Sequence, residues 1–245
     1  MEDKFDISEI ELSKNDIKRG LILPTKPSKE LSEFIGILTG DGYINSYKRY
    51  NHIMEITGNL NLDRDYLTQY TTRLIKGLFN LEPTIISRKN QNAVYIRLRS
   101  KGLVGYLKKI GFKKGKKNQI GVPKWILNND KYFVSFIKGL SDTDFSLNLL
   151  NRNGKKYKYY PRINLNSKSK ILVKELDRWL IKKGFSVYTN YDRIQKDKRG
   201  YNDSILHSIQ INGRKNLDKW MSLISFRNKK HLDKFNLLKF GSGEI

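Results

Sequence analysis

Asp41 and Asp144 stand 103 positions apart at matching places in two segments, Phe34-Ile35-Gly36-Ile37-Leu38-Thr39-Gly40-Asp41-Gly42 and Ile137-Lys138-Gly139-Leu140-Ser141-Asp142-Thr143-Asp144-Phe145. Each segment reads as a short apolar helix with a glycine in its middle and a carboxylate at its C-terminal end. Both choices oppose helix stability. An interior glycine costs about 1 kcal/mol against alanine, and a carboxylate at a helix C-terminus meets the negative end of the macrodipole. The pairing makes physical sense if the two helices approach closely and their carboxylates converge on a cation. Two nearby carboxylates repel, and a hard divalent ion removes that penalty. Mg²⁺ held by carboxylates and phosphate oxygens suits phosphodiester hydrolysis. Taken singly, Asp41-Gly42 would be no more than a turn dipeptide; the repetition carries the metal reading.

The elements that must position these aspartates also repeat. Leu31, Phe34, Ile35, Ile37 and Leu38 surround the first helix with apolar groups, and Phe133, Val134, Phe136, Ile137 and Leu140 surround the second. Helices apolar on nearly every side are buried on more than one front. Gly36 and Gly139 hold the same repeat position, with Gly40 and Thr143 one turn later. This small-xxx-small spacing lets two backbones come together.

After each motif come two alternating stretches (Tyr43 to Tyr50 and His52 to Thr57; Ser146 to Leu150 and Pro161 to Asn166) and then a helical pattern (Asp63 to Phe79; Ser169 to Lys183). Strand-like pairs follow at Thr84 to Ser100 and Ser186 to Asn212, then helices at Lys101 to Ile110 and Arg214 to Ile224, and Phe112 and Phe226 close the two units. The chain thus reads α-β-β-α-β-β-α twice, an α+β class with one four-stranded antiparallel sheet per repeat and the helices on one face. The expected divisions are a polar extension over 1–28, a first repeat over 29–118, a linker over 119–130, and a second repeat with a C-terminal tail over 131–245.

Composition narrows the partner. Lys and Arg number 48 against 24 acids, a net charge of +24 spread along the whole chain. Such a field favours a polyanion. No apolar run approaches the roughly 18 residues of a spanning helix, and the acidic, polar stretch Met1 to Asp16 has no apolar signal region. An intracellular protein, cytoplasmic or organellar, is expected. The absence of cysteine excludes disulfide scaffolds and cysteine zinc sites, and His52, His207 and His231 are too scattered for a histidine metal centre.

The paired motifs resemble those of the LAGLIDADG homing endonucleases, in particular the monomeric class with two motifs in one chain. The resemblance covers roughly Ser28 to Phe226. It implies a monomer that binds double-stranded DNA on two saddle-shaped sheets, joined by a two-helix interface, and cuts both strands across the minor groove. It further implies that Asp41 and Asp144 bind a divalent metal, Mg²⁺ with Ca²⁺ or Mn²⁺ as substitutes. Phe145 departs from the pattern, standing where the family usually has glycine, a bulk able to shift the strand that enters the sheet and the reach of Asp144. The family keeps a basic side chain near the metal centre, and Lys168, with repeat counterpart Asn59, is the nearest candidate by sequence. A catalytically silent nucleic-acid-binding protein on the same fold, such as an intron maturase or a regulator, is the alternative. Intein splicing is not expected, since there is no cysteine and position 1 carries no nucleophile.

Strand alternation assigns the faces. Val94, Ile96 and Leu98 point toward the helices, leaving Tyr95, Arg97 and Arg99 outward; Ile209 and Ile211 point inward, leaving Ser208, Gln210 and Asn212 outward. Met54, Ile56, Ile163 and Leu165 are core, so Glu55, Thr57, Arg162, Asn164 and Asn166 face the other way, joined by Tyr43, Asn45, Tyr47, Ser146 and Asn148 near the motifs. Arginine paired with guanine, and asparagine or glutamine with adenine, make such faces suited to reading base edges. The two faces differ, so an asymmetric target is expected. The lysine-rich stretches Lys113 to Lys117 and Lys155 to Lys158 suit phosphate contacts rather than base reading.

Overall fold

The computed structural model describes residues 4–47, 51–113, 117–151, 159–196 and 202–240, with the backbone alone for Tyr47, Asn51, Lys117 and Phe240. The expected lysine-rich stretches fall outside these residues at 114–116 and 155–158, as does the end of the first alternating stretch.

The observed order follows the repeat. After α1 (Lys14–Lys18), the first motif helix α2 (Lys29–Asp41) runs into β1 (Gly42–Tyr47) and β2 (Asn51–Asn59). A π-type turn at Tyr66–Thr71 leads to α3 (Thr72–Phe79), then β3 (Thr84–Arg88), β4 (Ala93–Arg99) and α4 (Lys101–Lys109). A short α5 (Lys124–Leu127) precedes the second motif helix α6 (Asp130–Thr143). The second copy continues as β5 (Phe145–Asn151), β6 (Tyr159–Ser167), α7 (Lys170–Lys182), β7 (Val187–Gln195), β8 (Ser204–Asn212) and α8 (Arg214–Leu223). A further helix, α9 (Lys229–Phe240), occupies what was expected to be a tail; it packs on β5, where His231 Nδ1 accepts from the Leu147 N–H at 3.4 Å.

Local signals account for the boundaries. Ser28, Ser100 and Ser169 each accept a hydrogen bond from an N–H in the first turn of α2, α4 and α7, at 3.0, 3.0 and 3.2 Å. This is the N-capping that serine provides. Asn80 and Asn92 take the left-handed conformation at the end of α3 and in the β3–β4 turn, where asparagine tolerates it better than most residues.

Both sheets are antiparallel and four-stranded, in orders β1-β2-β4-β3 and β5-β6-β8-β7. Their registers coincide through the first three strands, and the edge pairs agree until a bulge between Asn190 and Arg193 shifts β7 against β8. Gly42 opposite Ile56 corresponds to Phe145 opposite Leu165, and Glu55 opposite Arg97 corresponds to Asn164 opposite Gln210. A one-residue slip in either sheet would turn its apolar set to the wrong face.

Contacts divide the chain into two compact units, Met1–Lys114 with Pro123–Thr143, and Gly115–Val122 with Asp144–Ile245. The second motif helix therefore belongs to the first unit, packed against α2. The two helices run parallel: Ser32 Oγ donates to the Tyr132 carbonyl at 2.6 Å, and further along Gly36 lies against Phe136 and Leu140. A Cβ on Gly36 would come within 2.0 Å of the Phe136 carbonyl oxygen, and one on Gly139 within 2.0 Å of the Glu33 carbonyl oxygen. Gly40 is buried, whereas the Thr143 hydroxyl turns back to its own helix, on the Gly139 and Leu140 carbonyls at 3.3 and 3.0 Å.

The stretch 4–28 is ordered and packed within the first unit. Phe5 sits edge-on to Trp125 and Tyr106, with ring centroids 5.4 and 6.2 Å away. Asp16 is fully buried and accepts from the Ser13 N–H at 2.9 Å and the Gly102 N–H at 3.1 Å.

Alanine at Gly36 or Gly139 must force the α2 and α6 backbones apart. Each substitution is expected to destabilise by at least about 3 kcal/mol, the upper range of overpacking. Gly77→Ala in α3, whose added Cβ meets nothing within 4 Å, should stabilise by about 0.5–1 kcal/mol. Denaturant unfolding of the three variants checks this contrast, and a small, similar effect at all three sites would contradict it.

Candidate active site and nucleic-acid interface

Each acidic motif end lies where a helix gives way to the first strand of a sheet, but the two junctions are built differently. Asp41 is the last residue of α2, and the following Gly42 donates its N–H to the Leu38 carbonyl while already extended. A Cβ on Gly42 would stand 2.2 Å from the Leu38 carbonyl oxygen, so glycine is required there by close approach. In the second copy α6 ends one residue earlier in the repeat, at Thr143, and Asp144 forms a turn before β5 begins.

Phe145 takes the place of Gly42 and is 1% exposed, its ring 5.2 Å from that of Trp220. The strand it opens is not shifted, since Phe145 pairs with Leu165 as Gly42 pairs with Ile56. The bulk that looked disruptive in the sequence goes into the core of the second sheet.

Asp41 and Asp144 are both half-exposed. Each follows or ends a helix whose terminal carbonyls concentrate negative charge. Hard oxygen donors in partly solvated surroundings fit a hard divalent cation. Among the described residues no group of three or more His, Asp or Glu forms a metal cage, so ligation by these carboxylates would need oxygens from elsewhere. Asp142 and its repeat partner Thr39 are buried, at 1% and 4% exposure.

Lys168 is exposed just beyond β6, beside a recess of about 790 Å³ that also meets Lys170, Asp192 and His207. Burial pushes the His207 imidazole below its usual range, and its Nδ1 accepts from the Asp192 N–H at 3.1 Å. The hydrogen bond from Lys170 holds the Asp192 carboxyl below the ordinary carboxylate range. Asn59, the counterpart of Lys168, instead accepts from the Asn61 and Leu62 N–H groups at 2.9 and 3.0 Å and so shapes a turn.

The outward faces carry the expected side chains. Val94, Ile96 and Leu98 are buried while Tyr95 and Arg97 are half-buried and Arg99 exposed; Met54, Ile56, Ile163, Leu165, Ile209 and Ile211 are all core. Tyr43 is 55% exposed, Asn166 is exposed, and Asn45, Glu55, Thr57, Ser146, Asn148, Arg162, Asn164, Gln210 and Asn212 are half-buried. Ser208 departs: it has the outward parity but is 5% exposed, a short side chain on an interior strand between Asn166 and Asn190.

Much of this face is tied to itself. Arg97 Nε donates to Glu55 Oε2 at 2.5 Å, Arg162 Nε to Asn212 Oδ1 at 2.8 Å, and Asn148 Nδ2 to Asn164 Oδ1. Arg88 lies over the Tyr95 ring at 5.0 Å, and both reach Gln91. The edge strands add Thr84 opposite Arg97 and Tyr188 opposite Gln210, the latter 60% exposed. Neither stood out in the sequence, since both edge strands are largely exposed and lack a regular apolar alternation that would set their faces.

Comparison with known proteins gives the fold a setting. No protein-family profile matches the chain. It is 24% identical over 218 residues to a glutamine–fructose-6-phosphate aminotransferase (isomerizing) of Methanocaldococcus jannaschii, covering 88% of this chain and 18% of that protein. It is 26% identical over 187 residues to an uncharacterised protein of the same archaeon, covering 76% of this chain and 66% of the other. The chain thus spans under a fifth of the first relative and just under two thirds of the second.

Among solved structures, I-DmoI in complex with DNA and Ca aligns with a TM-score of 0.56 at 20% identity, over 85% of this chain and 97% of that one. I-SmaMI bound to an uncleaved DNA target in the presence of calcium ions aligns with a TM-score of 0.54 at 11% identity, over 87% and 90%. The chain has the two-repeat α+β fold of these LAGLIDADG homing endonucleases. No helix among the described residues is long and apolar enough to cross a membrane.

The two junctions differ in a way that stability measures. Phe145→Gly, which would restore the residue present in the first motif, removes the Trp220 contact and should destabilise by more than the roughly 3–5 kcal/mol of a buried Phe→Ala change. Equilibrium unfolding checks this; a neutral or stabilising result would mean that Phe145 is not core.

Proposed function

We propose that the chain is a monomeric, site-specific double-strand DNA endonuclease with a long asymmetric target, using Mg²⁺ or a similar divalent ion held by Asp41 and Asp144. One observation carries the reading most. Two parallel helices are packed backbone to backbone through Gly36 and Gly139, and each leads through an aspartate into the first strand of an equally registered sheet. The net charge of +24 and the polar outward faces support a DNA partner. Both compared endonuclease structures hold DNA, and others of I-DmoI are in complex with DNA and Mn or with DNA in the presence of Mg.

A cation bound there supplies Lewis-acid stabilisation of negative charge on the scissile phosphate. The protein's own part is to present the two carboxylates at the helix ends and to set the duplex in register. Lys168, exposed beyond β6, adds a positive charge to neutralise developing charge on phosphate oxygens. The first sheet offers Arg97, Arg99, Tyr95 and Glu55 to base edges, whereas Gln210, Asn212, Ser208 and Asn164 hold the same positions in the second. Two faces of such different chemistry would read two different half-sites, with the arginine-rich face inclined to guanine and the amide-rich face to adenine. The intact acids at both motifs, and a β5 register undisturbed by Phe145, favour the enzyme over the silent maturase or regulator.

Incubation with a randomised duplex library in Mg²⁺, followed by sequencing of cut ends, tests the proposal. Wild type should select one asymmetric site and cleave both strands. Asp41→Asn and Asp144→Asn should each bind that site but lose about a hundredfold or more in cleavage rate, the scale of losing one strong electrostatic stabiliser. A wild type that selects a unique site and never cuts it would establish the silent alternative.

A further inference from the structure

Arg19, at the end of α1, reaches from the N-terminal extension to the first sheet. Its Nη2 donates to Asp16 Oδ1 at 3.1 Å and to the backbone carbonyl of Arg99 at 2.7 Å, and its Nε donates to the Asn15 carbonyl at 3.1 Å. Asp16, which orients it, is itself clamped by Ser13 and Gly102. Burial pushes the Asp16 carboxyl up, but hydrogen bonds from Ser100, Gly102 and Ser13 outweigh it and hold the group below the usual carboxylate range. The guanidinium is thus locked in one orientation by an ionised partner.

Arg19 borders a recess of about 170 Å³ together with Arg97, Arg99 and Thr84. The last three have the outward parity of β4 and β3. Three arginines therefore line one small space. The acid that lines it, Glu82, is engaged by Lys76, and Arg97 gives its Nε to Glu55, so its terminal nitrogens are not used in that pair. A preformed fork of planar donors suits a phosphate better than it suits a single base edge.

We propose that this recess binds a backbone phosphate of a DNA duplex lying on the first sheet, and that Arg19 completes it from outside the repeat. The inference rests on the DNA-binding reading above and deepens it. The N-terminal extension then reaches the binding surface through Arg19 alone, and Arg97 and Arg99 divide their donors between phosphate and bases. A phosphate contact positions the duplex without carrying sequence preference.

The test uses the duplex selected by the full-length protein and an unrelated duplex of equal length, with affinities measured between 50 and 200 mM salt. Arg19→Gln keeps an amide donor for the Arg99 carbonyl and removes the charge; Lys14→Gln removes one charge elsewhere on the same extension. Arg19→Gln should weaken both duplexes alike, by about fivefold or more, and lower the slope of log affinity against log salt by about 0.9, while Lys14→Gln leaves the slope nearer wild type. A scan of single neutral methylphosphonate linkages should then find one position that weakens wild type but not Arg19→Gln. An unchanged slope, or full losses at every linkage in both proteins, would overturn the assignment while leaving DNA binding intact. If Arg19→Gln unfolds early, Arg19→Lys, which keeps the charge, should retain the slope, and its loss would also overturn the proposal. A wild type that binds no duplex would instead remove the DNA reading and this site with it.

Discussion

The close approach of the α2 and α6 backbones at Gly36 and Gly139 sets the geometry on which the rest depends. Any side chain at either position would collide with a carbonyl oxygen of the opposite helix at 2.0 Å, so the α2–α6 pair can exist at this separation only with glycine at the crossing. Parallel packing at that distance puts both C-terminal ends on one side, and with them the unsatisfied carbonyls and partial negative charge of two helices. The interior glycines each lower intrinsic helix stability by about 1 kcal/mol. Burial of nearly every residue from Leu31 to Gly40, and of Phe133, Phe136, Ile137 and Leu140 opposite, offsets that loss. A helix pair bound by apolar burial on this scale can tolerate a carboxylate at an end that intrinsic propensity would reject.

From this pair the chain builds two sheets with the same strand order and, apart from a bulge in β7, the same register, yet different chemistry on their outward sides. Arg97 and Glu55 form an ion pair where Gln210 and Asn164 stand in the second copy. Register is held by the inward apolar set, which is interchangeable between copies as long as its volume fills the core. Outward residues are not so constrained and can diverge without disturbing the fold. The junctions show the same division. Gly42 is demanded by the Leu38 carbonyl, whereas one turn residue before β5 makes room for Phe145 against Trp220.

Much of this was legible in the sequence because it obeys simple periods. Alternation placed Val94, Ile96, Leu98, Ile209 and Ile211 inward, and helical spacing with a central glycine marked both motif helices. What escaped notice rests on contacts distant in sequence. The fate of Phe145 depends on Trp220, and the burial of Ser208 depends on neighbours across two strands. The N-terminal extension looked merely polar, since neither its polarity nor its spacing reveals that Asp16 caps its own helix and also accepts from Gly102. Helix α9 likewise owes its place to the packing of His231 near β5 and Phe226. Arg19 gains its meaning only when Asp16 is in place.

The proposed function requires both Asp41 and Asp144 for binding of the divalent cation. Mn²⁺ binding to the protein on its selected duplex, followed by electron paramagnetic resonance, tests this most directly. Asp41→Asn alone and Asp144→Asn alone should each abolish tight Mn²⁺ binding while leaving the protein folded and bound to DNA. If either variant keeps tight Mn²⁺ binding, the proposed metal role of the two aspartates is wrong.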